Sequence, residues 1–106
     1  MNIAIDYDGT YTRDPEMWNE IINLMKKRGH KVYCVTMRFL EPVKYAIFQF
    51  EPGMVDETEE VKRDLGDLCP IIFTNRLAKR KFCEDRGVNI DIWIDDNQHF
   101  VNKNAL

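Results

Sequence analysis

Four short apolar runs alternate with longer stretches of helical periodicity, and this alternation restricts the fold more than any other feature of the sequence. The runs are Asn2–Ile5, Lys31–Thr36, residues 70–74 and residues 89–94. Each run suits a buried strand, and the chain between runs is long enough for a helix. Strands connected in this way lie parallel, with right-handed crossovers. The pattern predicts a single-domain, Rossmann-like α/β fold whose parallel sheet of about four strands is flanked by helices.

Three helices are predicted between these strands from their capping residues. The first begins after the N-cap residue Asp14 and ends near Gly29. The second begins at Asp56, and the third extends from the N-cap residue Asn75 to Arg86. We therefore expect one helix in each connection between successive strands.

Residues 39–54 are the least readable part of the chain. They are rich in apolar side chains, but two prolines and a glycine interrupt them, and neither a period of two nor one of 3.6 is present. A short helix and an irregular packed excursion are both compatible with this segment.

Composition places the chain among folded proteins without a membrane segment. Its 106 residues suffice for one domain, covering 1–106, without a separate cap domain. An acid at position 6 interrupts the first apolar run, so we expect no signal peptide, no spanning helix and a cytoplasmic location. The three cysteines lack metal-site spacing and are predicted to be reduced core thiols.

The charge of the chain restricts its partners. A net charge of −3 argues against a general affinity for nucleic acid. Four basic residues could nevertheless form a local patch, so a phosphorylated nucleic-acid end is still a candidate ligand. They are Arg76, Lys79, Arg80 and Lys81.

Two of the apolar runs end in paired acids. Asp6 and Asp8 follow the first run, and Asp95 and Asp96 follow the fourth. If these two strands are neighbours, as in the expected order 4-1-2-3, four carboxylates meet at one edge of the sheet. Such a cluster suits a hard divalent cation such as Mg²⁺. Thr36 ends the second run at the same edge, which is where open α/β sheets bind ligands.

The order of these residues resembles that of the haloacid dehalogenase-like (HAD) phosphohydrolase superfamily. Its signature is Asp-x-Asp-x-Thr after strand one, Thr or Ser after strand two, Lys before strand four, and an acidic pair after strand four. The corresponding residues here are Asp6, Asp8, Thr10, Thr36, Lys79, Asp95 and Asp96. The resemblance covers nearly the whole chain.

The resemblance implies a Mg²⁺-dependent phosphatase that hydrolyses a phosphate monoester. Asp6 would attack phosphorus and form an aspartyl-phosphate, and Asp8 would be the general acid and then the general base. Acid catalysis near neutral pH would require Asp8 to titrate above the usual range of aspartate, which burial beside other carboxylates could achieve. The metal would be held by Asp6, by the backbone carbonyl of Asp8, and by Asp96, with Asp95 bracing the site or pairing with the lysine.

The remaining site residues are predicted to hold the phosphoryl group. Thr36 and the backbone amides after Asp6 are expected to bind its oxygens, so the phosphate-binding set includes Tyr7, Gly9 and Thr10. Arg38 is a further candidate for contact with the phosphate, and a solvated arginine is the equal alternative.

The site lysine is either Lys79 or Lys81. These residues lie about 200° apart on a helix, so both cannot face the site. Arg80 lies outside the apolar stripe of the third helix, with a lysine on each flank. The family's placement of the lysine near the helix start favours Lys79.

The chain departs from the family between its first motif and its first helix. Only residues 11–14 lie there, where most relatives have a longer flap or a cap domain. This near-bare core must be covered by residues 39–54, by a second subunit in a homo-oligomer, or by the substrate itself. The open site suits a phosphorylated small molecule, protein or nucleic-acid end.

Two alternatives compete with the phosphatase. A receiver-type phospho-acceptor domain uses similar residues, but their order along this chain is wrong for it. A non-catalytic module that binds a phosphorylated ligand or partner through the same residues remains open, and the missing flap favours it.

Overall fold

The computed structural model describes residues 1–40 and 57–105. Its sheet consists of β1 (Asn2–Ile5), β2 (Lys31–Thr36), β3 (Ile71–Phe73) and β4 (Ile92–Ile94). The helices are α1 (Pro15–Lys27), α2 (Glu57–Leu65), α3 (Lys79–Glu84) and α4 (His99–Asn102), with a short 3-10 turn at Tyr11–Arg13. Most of the segment 39–54, for which the sequence shows no clear pattern, lies outside the described residues (41–54). Asp56, the predicted start of the second helix, also lies outside them.

All described strand pairs are parallel, which confirms the predicted α/β class and its four-stranded sheet. The order from one edge is β3-β2-β1-β4. Read from the opposite edge, the same three pairings are β4-β1-β2-β3. The two strands that end in paired acids, β1 and β4, are therefore neighbours.

Alternate residues of the strands supply two apolar layers, one on each face of the sheet. On one face, Ile5 and Cys34 pack with Ile22 of α1 and Leu65 of α2. On the other face, Ala4 and Val35 pack with Cys83 of α3. The sheet thus has helices on both faces, which leaves its strand ends available for a site.

The local signals at α1 and at the cysteines are confirmed. The Asp14 carboxylate accepts a hydrogen bond from the backbone N–H of Met17, at 3.2 Å, and Pro15 is the first helical residue. Cys34, Cys69 and Cys83 are free and buried, as expected of core thiols.

The prediction that Asn75 caps the third helix is wrong. Asn75 and Arg76 have positive φ angles of 55° and 68°, and α3 begins only at Lys79, with Ala78 in the capping position. The Asn75 side-chain oxygen instead accepts a hydrogen bond from the backbone N–H of Leu40. The amide therefore joins the loops after β2 and β3, and α3 is shorter than predicted, ending at Glu84.

The end of the chain also differs from expectation. The fourth strand begins at Ile92, three residues after the predicted start. A further helix, α4, which was not predicted from the sequence, begins at His99. None of the helices among residues 1–40 and 57–105 is long and apolar enough to cross a membrane.

Candidate functional site

The register of β1 and β4 brings the two acidic motifs together. Ile5 pairs with Ile94 at the ends of the two strands. An aspartate follows each of them directly, Asp6 after β1 and Asp95 after β4. The backbone N–H of Asp6 donates to the carbonyl of Ile94 at 2.9 Å, so the pairing extends to the start of the first motif. Two carboxylates from distant parts of the sequence therefore lie side by side at the carboxyl edge of the sheet.

Lys79 bridges these two carboxylates. Its Nζ donates to Asp6 Oδ1 at 2.7 Å and to Asp95 Oδ2 at 2.6 Å, and its side chain is only 4% exposed. Burial acts to lower the pKa of Lys79, but the charges and hydrogen bonds of Asp6 and Asp95 outweigh it and the pKa is raised. The lysine at the site thus stays charged.

Lys81 lies elsewhere. Its side chain is 79% exposed and pairs with Asp85 of the turn after α3, at 3.3 Å. Of the two lysines considered from the sequence, the structure brings Lys79 to the acidic motifs.

Burial changes the ionisation of the Asp6 carboxylate. Burial raises its pKa from 3.8 to about 7, although the charge and the hydrogen bond of Lys79 act in the opposite direction. Its Oδ2 accepts a long hydrogen bond, 3.4 Å, from the hydroxyl of Thr10. A second positive charge near Asp6 would favour its ionised form further.

Asp6, Asp95 and Asp96 can together hold a metal ion. One carboxylate oxygen from each lies within 4.8 Å of the others. Carboxylate oxygens are the ligands that Mg²⁺ and Ca²⁺ prefer in proteins. Asp95 is already committed, since Oδ2 binds Lys79 and Oδ1 accepts from the backbone N–H of Asn97 at 2.9 Å. The hydrogen bond that Asp6 Oδ2 accepts from Thr10 is long, so Asp6 and Asp96 are more available to a metal ion than Asp95, which pairs with the lysine.

Gly9 allows the second acidic motif to approach the first. A Cβ at this position would lie 2.5 Å from Asp96 Oδ2, and the φ angle of Gly9 is +78°. A larger side chain would strain the backbone and displace the Asp96 carboxylate. Thr10 also links the two acidic motifs, because its hydroxyl accepts a hydrogen bond from the backbone N–H of Asp96 at 3.1 Å.

Asp8 does not share the environment of Asp6. Its side chain is 57% exposed, and its two oxygens accept hydrogen bonds from Arg38 Nε and Nη2 at 2.9 and 2.7 Å. The expectation that Asp8 lies buried beside other carboxylates is therefore wrong. The chain leaves the sheet after Ile5, so residues 6 and 8 no longer point the same way as they would in an extended strand.

The predicted phosphate-binding residues occupy different surroundings. Thr36 is buried and lines the pocket, and its hydroxyl accepts from the backbone N–H of Arg38 at 3.3 Å while retaining its own proton. The backbone N–H of Gly9 donates a hydrogen bond to the Thr12 hydroxyl at 3.0 Å. Tyr7 is fully buried, and its hydroxyl donates to Asp64 of α2. Of the predicted phosphate ligands, Thr36 therefore has the clearest access to the pocket.

An open pocket of about 230 Å³ unites the site, and one wall of it was not predicted from the sequence. Asp6, Asp8, Thr36, Lys79, Asp95 and Asp96 line it, as do Met37, Arg76, Asn97, Phe100 and Ala105. Ala105 reaches this position because its backbone N–H donates to the Arg76 carbonyl at 2.7 Å. Arg76 belonged to the basic patch noted in the sequence, which was the one available signal for this wall.

Comparison of the chain with protein-family models, with curated proteins and with solved structures found no match. The residues of the site are therefore the basis for assigning a function.

Proposed function

We propose that this protein is a Mg²⁺-dependent phosphatase of the HAD-like type, which hydrolyses a phosphate monoester through an aspartyl-phosphate on Asp6. The observation that carries the proposal is the bridge from Lys79 to Asp6 and Asp95, with Asp96 close by, at the carboxyl edge of a parallel sheet. Phosphoryl transfer to a carboxylate requires the anionic nucleophile and a nearby positive charge. In this pocket a buried lysine lies between two carboxylates, with a third beside them.

Asp6 is the nucleophile in this mechanism. Lys79 holds Oδ1, which fixes the orientation of the carboxylate, while Oδ2 remains on the side of Thr10. A carboxylate meets a phosphate dianion against charge repulsion, and Lys79 offsets only one of three carboxylate charges. A divalent cation held by Asp6, Asp96 and the Asp8 carbonyl would supply the missing positive charge. Lys79 and Thr36 would then stabilise the phosphoryl oxygens.

Asp8 moves the protons of the reaction. It lines the same pocket as Asp6 but is exposed, so it can reach the leaving oxygen of a substrate that enters from solvent. In the first step Asp8 protonates the leaving oxygen as the bond between Asp6 and phosphorus forms. In the second it takes a proton from the water that hydrolyses the aspartyl-phosphate.

Among residues 1–40 and 57–105 the pocket is open, and this openness favours a substrate that supplies part of its own cover. Between Thr10 and Pro15 the chain makes only the turn at Tyr11–Arg13. A phosphorylated protein, a nucleic-acid end or a small molecule enclosed by a second subunit would each exclude water from such a site.

The decisive test is turnover of a panel of phosphate esters, including an aryl phosphate, by the wild type and by Asp6→Asn. We expect phosphate release only with Mg²⁺, and none above background from the variant. The substitution conserves side-chain volume, so its circular dichroism spectrum should match that of the wild type.

Asp67→Asn is the matched control, because Asp67 is an exposed aspartate after α2. It should retain full activity. Equal turnover by the Asp6 variant would refute the assignment of the nucleophile.

A non-catalytic module that binds a phosphorylated ligand is the second candidate. The bidentate pairing of Asp8 with Arg38 favours it, because this carboxylate is engaged by a cation within the protein. Saturable, Mg²⁺-dependent binding of phosphorylated ligands without turnover on the whole panel would support the module.

A further inference from the structure

Arg38 meets Asp8 in the geometry that fixes a carboxylate most firmly. Nε and Nη2 donate to the two oxygens of Asp8 at 2.9 and 2.7 Å, which is a bidentate pair. A planar guanidinium in this arrangement defines the direction of the carboxylate as well as its charge. The position of Asp8 at the pocket therefore depends on the position of Arg38.

Arg38 is in turn held by groups that do not line the pocket. Its Nη1 donates to Glu60 Oε2 of α2 at 3.0 Å, and its guanidinium carbon lies 5.0 Å from the centre of the Tyr7 ring. The Tyr7 hydroxyl donates to Asp64, one turn further along α2. Helix α2 thus anchors both the guanidinium and the ring beneath it.

These contacts disagree with a phosphate-binding role for Arg38. Donors on all three of its nitrogen atoms bind carboxylates of the protein, and its side chain is only 15% exposed. A phosphate would have to displace Asp8 or Glu60 to reach the guanidinium. Loss of either carboxylate would remove a partner from a guanidinium that is itself largely buried.

We propose that Glu60, acting through Arg38, positions the Asp8 carboxylate at the pocket, so that both are positioning residues for proton transfer. This inference rests on the proposed phosphatase activity. It brings α2 into the site, although none of the described residues of that helix lines the pocket.

The test measures kcat and KM of the wild type, Asp8→Asn, Arg38→Met and Glu60→Gln on phosphate monoesters of increasing leaving-group basicity. The series runs from dinitrophenyl through nitrophenyl and phenyl to an alkyl phosphate. A strongly acidic leaving group departs without a proton, whereas an alkoxide requires one.

Asp8→Asn should lose about 10²–10⁴-fold in kcat on the basic leaving groups and much less on dinitrophenyl phosphate. Arg38→Met should show the same trend, with at least about 10-fold more loss on alkyl than on dinitrophenyl phosphate. Glu60→Gln should show the same dependence on the leaving group with a smaller loss of kcat. In the Asp8→Asn background the Arg38 substitution should add little, because its effect passes through Asp8.

Glu59→Gln is the matched control, since Glu59 is an exposed neighbour on the same helix. It should behave as the wild type across the series. Glu60→Gln also provides an independent test in case Arg38→Met does not fold.

The outcomes separate this inference from the proposed function. An equal loss across the series, or a rise in KM alone, would overturn the positioning role and return Arg38 to phosphate binding. Faster turnover of basic leaving groups would also overturn it, because the pair would then restrain Asp8 from reacting. A wild type without turnover on any ester would refute the phosphatase and this inference together.

Discussion

Within residues 1–40 and 57–105, two cations each join two carboxylates, and the two sites differ in burial. Lys79 joins Asp6 to Asp95, and the three side chains are 4%, 9% and 3% exposed. Arg38 joins Asp8 to Glu60, and these side chains are 15%, 57% and 40% exposed. The first site lies at the edge of the sheet and the second lies toward α2.

The difference shows how two acids of one short motif acquire separate tasks. Near the buried lysine, charges interact strongly and water cannot replace a lost partner. Near the arginine, water competes for the carboxylates, so the value of the pair lies in the direction it imposes on Asp8. We expect the Lys79 site to dominate stability and the Arg38 site to affect geometry.

Removal of Lys79 should have the largest effect on stability. Lys79→Met leaves the carboxylates of Asp6 and Asp95 buried without their cation, which should lower the free energy of unfolding by about 3–5 kcal/mol. Urea unfolding in the presence of a chelator, followed by tryptophan fluorescence, measures this loss.

Lys81→Met is the control for that measurement. Lys81 is exposed and pairs with an exposed aspartate, so its loss should stay within about 0.5 kcal/mol of the wild type. Equal losses in the two variants would contradict the contrast between a buried and an exposed lysine.

The pH dependence of stability should reveal the burial of Asp6. Because burial raises its pKa from 3.8 to about 7, folded protein holds a proton that unfolded protein releases between these values. The free energy of unfolding of the metal-free protein should therefore fall as pH rises through this window.

The variant that isolates this contribution is Asp6→Asn, which lacks the titrating carboxylate. Its free energy of unfolding should fall less over the same pH range, measured by urea titration in a chelating buffer. Parallel pH profiles for the variant and the wild type would show that Asp6 is not the group responsible.

Arg38→Met should have a smaller effect on stability than Lys79→Met, about 1 kcal/mol. Its partners Asp8 and Glu60 are exposed and can be hydrated when the guanidinium is lost. Thermal unfolding of this variant and of Lys79→Met under the same conditions compares their losses of stability directly. A loss as large as that of Lys79→Met would mean that the arginine site is also a stability centre.

Local patterns in the sequence identified the parts of the fold that depend on neighbours along the chain. Asp14 and Pro15 start α1 as predicted, because the cap requires only a side chain and an amide three residues later. The apolar runs became parallel strands, since an uninterrupted apolar run can be buried on both faces of a sheet.

Other features depended on partners that no local pattern reveals. Asn75 has the composition of an N-cap, yet the loop after β2 takes its side-chain oxygen and α3 starts later. Asp8 has the spacing of a partner to Asp6, yet the turn directs it toward Arg38, 30 residues away. The wall formed by Phe100 and Ala105 follows from α4, a helix of only four residues with no sequence signal that was recognised.

The sequence by itself determined which chemical groups reach the edge of the sheet, because the strand ends carry Asp6, Thr36 and Asp95 wherever the strands pair in parallel. Only the tertiary structure decided how those groups are divided. Burial and Lys79 distinguish Asp6 from Asp8, and α2 supplies Glu60 to hold Arg38. The physical reason is that burial and charge pairing depend on contacts between distant segments, whereas residue type and strand periodicity are local properties.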